Sequence, residues 1–168
     1  MSLIEIWYLT IFVFGLAVVL VCYLIRKSEP KTRLVQGIVG VCGGIITLFT
    51  LFLPWITMQY PYRISLSGLE IGDVFVYILN NQFLKSISFF LLLFSFLIIL
   101  GGYLHIMGYR IGKKITETSS GIALFISIVL VLGLSLTPSR NLPISIEINP
   151  FIYIFGAILG VISIKLEK

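Results

Sequence analysis

The chain has 168 residues, of which 58% are hydrophobic and only 11% charged, with a formal net charge of +5. A water-soluble domain carries roughly a quarter charged residues, so this composition excludes an ordinary soluble fold and leaves room for one compact unit. The twelve basic residues sit in short clusters between apolar runs. That is the pattern of membrane-flanking charge, and it argues against nucleic-acid binding.

A transmembrane helix needs about 20 apolar residues. The first such run extends from Ile4 to Ile25, with Glu5 before it and Arg26 and Lys27 after it. A signal peptide has the opposite charge order and a small-residue cleavage site, so the run is expected to be a retained helix entering from outside. The second span is expected from Leu34 to Ile56, ending at Pro54 and Trp55. The third covers Ser86 to Tyr109, the fourth Ser119 to Thr137, and the fifth Asn149 to Ile164. The fifth is the shortest.

Loop charge orients these five spans. Nine of the twelve basic residues fall on one side: Arg26, Lys27, Lys31, Arg33, Arg110, Lys113, Lys114, Lys165 and Lys168. Arg63, Lys85 and Arg140 fall on the other. The positive-inside rule then predicts a plasma-membrane protein with its N-terminus outside and its C-terminus in the cytoplasm.

The outer connections carry their own pattern. Residues 58–85 are too many for a simple turn. From Arg63 to Ile71, apolar and polar residues alternate on both sides of Ser67-Gly68, which predicts a short β-hairpin. Asp73 is suited to cap a short helix beginning at Val74. Alternation returns in Ile144-Ser145-Ile146-Glu147-Ile148, between Pro143 and Pro150. Two strands alone are marginal, so a third joining the hairpin predicts a small extracellular sheet on the bundle. Its candidate interaction surface comprises Arg63, Ser67, Gly68, Glu70, Asp73 and Glu147. The acidic members offer a cation or a basic partner a rim, against the plainer reading of solvated loop charge.

Lipid gives apolar helices no drive to associate, so small residues must allow close packing. They recur at helical spacing as Gly37, Gly40 and Gly44 in the second span, followed by Thr47. The third span has Ser88, Ser95 and Gly102, the fourth Ser120 and Ser127, and the fifth Gly156 and Gly160. The Gly156–Gly160 GxxxG is read as an intramolecular contact, with dimerisation the other use of such a motif. The first span lacks a comparable stripe. Residues 1–33 are therefore expected to form a peripheral helix and loop, and residues 34–168 a four-helix bundle with outer loops 58–85 and 138–149.

Chemistry is sparse. Intramembrane charge marks transport pathways, yet no Asp, Glu, Lys or Arg lies in the middle of a span. His105 is the sole histidine and sits near the inner end of the third span. Haem or metal ligation would need a partner such as Cys22, Cys42 or Met107 at matching depth, whereas the plainer role is a hydrogen-bonded or interfacial histidine. With Asp73 on the opposite side, no Ser-His-Asp set can form. Cys22 and Cys42 lie in apolar runs and read as small buried hydrophobes. Trp55, Tyr60, Tyr62 and Tyr153 read as an interfacial aromatic belt. No cofactor is expected.

Without the first span, the layout resembles the claudin-like four-helix membrane fold. That family's long first outer loop forms strands and a short helix, and its second loop adds a strand to the same sheet. The corresponding segments here are 34–56, 58–85, 86–109, 119–137, 138–149 and 149–164. Trp55 and Ser67-Gly68-Leu69 echo part of the family's W-G-L-W motif, but the outer loop holds no second Trp and no cysteine, so the family's disulfide and its junction-forming role are not implied.

These observations favour a non-enzymatic membrane scaffold whose outer sheet meets a membrane-protein partner or a copy of itself. One alternative is an accessory subunit of a larger respiratory or transport complex, docked through the first helix. Another is a small pore or carrier, which the missing intramembrane charge disfavours.

Overall fold

The computed structural model describes residues 32–58, 63–74, 85–136 and 144–165. The expected first span, with Cys22, and the loop tyrosines Tyr60 and Tyr62 lie outside these residues. The described chain runs α1 (Thr32–Leu51), β1 (Pro54–Met58), β2 (Ile64–Ser67), α2 (Ser86–Ile106), α3 (Arg110–Leu136), β3 (Ile144–Ile146) and α4 (Asn149–Lys165). It is mostly helical, with one small sheet at one end of the bundle.

Each helix packs against two others: α1 against α2 and α4, and α3 against α2 and α4. Three helices, α1, α2 and α3, are long and apolar enough to cross a membrane, whereas α4 is a shorter apolar helix of 17 residues. The small residues lie in the seams. A Cβ at Gly37 would stand 2.8 Å from the Gly102 carbonyl oxygen and overlap Ile106. One at Gly101 would stand 2.7 Å from the Thr116 backbone nitrogen. On the other side of α1, a Cβ at Gly43 would lie 2.6 Å from the Gly156 carbonyl oxygen. Backbones thus meet directly, as small residues at helix seams allow.

Three boundaries differ from the sequence expectation. First, α1 stops at Leu51, five residues early, with Phe52 and Leu53 donating backbone bonds to Phe49 and Thr50. Pro54 has no N–H to donate and holds Leu53 away from helical geometry, so the chain turns and begins a strand. Second, α2 ends at Ile106 because Gly108 adopts φ 97°. The Gly108 N–H bonds the His105 carbonyl and the Tyr109 N–H the Leu104 carbonyl, the double closure of a Schellman turn. Third, α3 begins at Arg110 rather than Ser119, so the segment expected as a loop is helix. At 1.5 Å per residue, its 27 residues span about 40 Å, longer than the ~30 Å apolar core of a bilayer.

Candidate functional site

The sheet has the order β2-β1-β3, with both pairings antiparallel. The hairpin expected to turn at Ser67-Gly68 does not form. β2 pairs instead with β1, and the chain after Ser67 leaves the sheet rather than returning along it. Residues 68–70 turn and residues 71–74 are helical. Asp73 therefore sits inside that helical turn and does not cap it. Its carboxylate lies 3.4 Å from Lys85 Nζ in an exposed pair, a geometry worth little to stability. Turn closure falls to Glu70, whose Oε2 accepts from both the Ser67 N–H and hydroxyl at 2.8 Å.

Between Pro54 and Ile56 the β1–β2 register slips by one residue. Trp55 is the extra residue, and a bulge of this kind re-aims its side chain. The indole is fully buried, and its Nε1–H donates to the Thr50 carbonyl at 2.8 Å. Its ring meets that of Tyr153 edge-on, with centroids 5.4 Å apart. The Tyr153 hydroxyl in turn donates to the Leu91 carbonyl at 3.2 Å, beside Ser95. Trp55 and Tyr153 are thus core residues joining the sheet to α1, α2 and α4, and do not form an interfacial belt. Gly68 completes the seat: a Cβ there would lie 2.7 Å from the indole and 3.1 Å from Leu51 Cα. The adjacent Leu69 N–H bonds the Leu51 carbonyl at 3.1 Å. From the other side, the Asn149 amide donates to the Pro54 carbonyl.

A row of polar groups crosses the sheet. The Thr57 hydroxyl donates to Glu147 Oε1 at 2.7 Å and lies 3.3 Å from Ser65 Oγ, while Ser145 Oγ donates to the Thr57 carbonyl at 3.2 Å. Glu147 is further held by its own N–H, which donates to the Trp55 carbonyl at 2.9 Å. The three candidate acidic residues therefore serve three local roles: Glu70 closes a turn, Asp73 pairs with Lys85 and Glu147 bonds Thr57. Among the described residues no group of three His, Cys, Asp or Glu side chains is placed to hold a metal ion.

Arg63, Ile64 and Ser65 are exposed at the sheet margin, and among the described residues no strand covers the outer edge of β2 or of β3. A cleft of about 490 Å³ is lined by Leu69, Asp73 and Lys85 together with Ser88, Phe89 and Leu92 of α2. Its Ser88 hydroxyl already accepts the Gly72 N–H at 3.0 Å.

At the far end of the bundle, His105 is buried, and its Nε2 lies 2.8 Å from Gln36 Oε1. The histidine thus bridges α2 to α1. Cys42 is half-buried, and Met107 is exposed. All of the expected packing residues are buried: Gly37, Gly40, Gly44, Ser88, Ser95, Gly102, Ser120, Ser127, Gly156 and Gly160. Gly156 abuts Gly43 and Thr47 of α1, and Gly160 abuts Ser120 of α3, so both lie in contacts within one chain. Sequence spacing missed Gly43, Gly101 and Gly112, which line second faces of the same helices. It also missed Thr57 and Tyr153 as ties within and beneath the sheet. Among the described residues, the buried set contains no Asp, Glu, Lys or Arg.

Comparison with protein-family models, curated proteins and solved structures finds no match to this chain.

Proposed function

We propose that this chain is a non-enzymatic multi-pass membrane protein that holds its three-stranded sheet outside the bilayer as a recruitment surface for a membrane-protein partner. The observation that carries the reading is the contrast within the sheet. β1 is bonded on both sides and locked to the bundle through Trp55, whereas among the described residues no strand covers the outer edge of β2, where Arg63, Ile64 and Ser65 are exposed. A rigid strand with an open edge can receive an extended segment from a partner, with backbone bonds giving affinity and side chains giving selectivity.

Three features support the membrane setting: the long apolar helices, their exposed Phe89, Phe96 and Phe125, and a described interior without carboxylates or cations. The loop charges favour the plasma membrane, with the sheet outside and the C-terminus in the cytoplasm. A charge-lined pore or carrier gains no support from that interior.

Copurification in mild detergent, followed by native mass measurement, tests the recruitment reading. Ser65→Pro with Ile64→Lys at the open edge should remove the partner while leaving the fold intact. Prolines at Ser67 and Gly68 are unsuitable because they would break the Trp55 seat. Retention of the partner by the edge variant would refute the proposal. Orientation is checked with a membrane-impermeant maleimide on intact cells, which should label Ser65→Cys and spare Lys114→Cys.

A further inference from the structure

The outward face of α3 differs from every other helix surface described. Gly121 is exposed, and a side chain added there would meet nothing within 4 Å. The other helical glycines with described surroundings, from Gly37 to Gly160, each press against a neighbouring helix. Glycine weakens a helix through its backbone entropy, and close helix contact offsets that cost in the bundle seams. At Gly121 the described residues provide no such contact.

The surroundings of Gly121 suit a second helix of the same kind. Thr118, Ile122 and Phe125 border the gap it leaves, and Phe125 is 69% exposed, the most of the exposed large hydrophobic residues. Phe125 follows Gly121 by one helical turn, which puts the two on the same face of α3. Facing an identical α3 running in the same direction, each ring enters the gap above the other copy's Gly121. One and two turns further toward the N-terminus, Glu117 and Lys114 are both exposed. Across a two-fold axis, the Lys114 of each copy stands beside the Glu117 of the other, as a self-complementary interface requires. Ile128 and Leu132 continue the face at heptad spacing. The outward face of α2 has the same spacing at Phe89, Leu93, Phe96, Leu100 and Tyr103, but it offers neither a gap nor a charge pair. Lipid covers such a face adequately.

We propose that a second copy of this chain docks on α3, crossing at Gly121, with the two-fold axis along the membrane normal. The inference rests on the membrane reading above and adds self-association through a face distinct from the sheet. The test uses the full-length chain, fluorescently labelled and reconstituted at graded density in phosphatidylcholine–phosphatidylglycerol vesicles. Subunits are counted by single-molecule photobleaching. Dimers are expected, with Gly121→Leu weakening association on the order of tenfold or more and Phe96→Leu on α2 leaving it unchanged. Lys114→Glu should weaken it less, and Lys114→Glu combined with Glu117→Lys should restore it. A monomer at every density, dimers indifferent to Gly121→Leu, or equal loss with Phe96→Leu would overturn the proposal. Flotation in a density gradient separates the two levels: a chain that floats as a monomer refutes only the dimer, while one that does not float refutes the membrane reading itself.

Discussion

The two ends of the bundle solve the same packing problem by opposite means. At the sheet end, large side chains fill the space between helices: Trp55 and Tyr153 meet edge-on, backed by Leu51, Ile71 and Leu91. At the other end, Gly37 faces Gly102 and Gly101 faces Thr116, so the backbones touch with almost nothing between them. The sheet explains the difference. Strands seated on helix ends need a core of their own, and a bulged tryptophan supplies the volume while its Nε1–H bonds the backbone of α1. Where no strand is described, close backbone approach supplies the contact between helices. One end should therefore be most sensitive to lost volume, and the other to added volume.

Truncation at the sheet end should have the largest effect. Trp55→Ala removes the ring that joins the sheet to three helices and should cost about 3–5 kcal/mol, read as a lowered unfolding midpoint in detergent. The matching experiment at the glycine end adds volume. Gly37→Leu meets the Gly102 carbonyl oxygen, which cannot rotate away, and should cost about 1–3 kcal/mol. If Gly37→Leu were harmless while Gly37→Ala stabilised the chain, the close-approach account of that end would be wrong. Gln36→Leu should cost less, about 0.5–1.5 kcal/mol for the bond to His105, measured by the same melt. Asp73→Asn, which removes the exposed pair with Lys85, should change stability by less than about 1 kcal/mol.

Sequence patterns made some elements plain and concealed others for identifiable reasons. The strand at Ile144–Ile146 was legible because apolar and polar residues alternate between two prolines. β1 was not: Pro54-Trp55-Ile56 continues an apolar run, and hydropathy does not separate a buried strand from the end of a helix. Pro54 was the available signal, since proline fits the first residue of a strand better than the last turn of a helix. In residues 63–71 the alternation is real, yet only its first half becomes a strand. Gly68 must abut the indole and Glu70 closes the turn, contacts no local pattern reveals. Helical spacing pointed to Gly37, Gly40 and Gly44. Gly43 escaped notice because α1 faces two neighbours and a single stripe describes only one of them. His105 stood out, but nothing local links it to Gln36, 69 positions away. At the sheet, Arg63 and Ser67 were legible as loop positions, whereas the openness of the β2 edge became apparent only from the strand order.

The strand order also bears on how the protein is made. β1 lies between β2, which follows it directly, and β3, just after which Glu147 bonds Thr57 across 90 positions of chain. During synthesis the β1–β2 hairpin can close at once, but the second edge of β1 stays bare until α2 and α3 have been produced. At a translation rate of about 5–20 residues per second, that interval lasts on the order of 5–20 s. Throughout it the nascent protein carries an unsatisfied strand edge that any other extended chain nearby can occupy. The last strand to emerge is thus also the latch that ends a period of vulnerability. A chain interrupted before Ile144 would be exposed to mispairing even with three of its bundle helices already made.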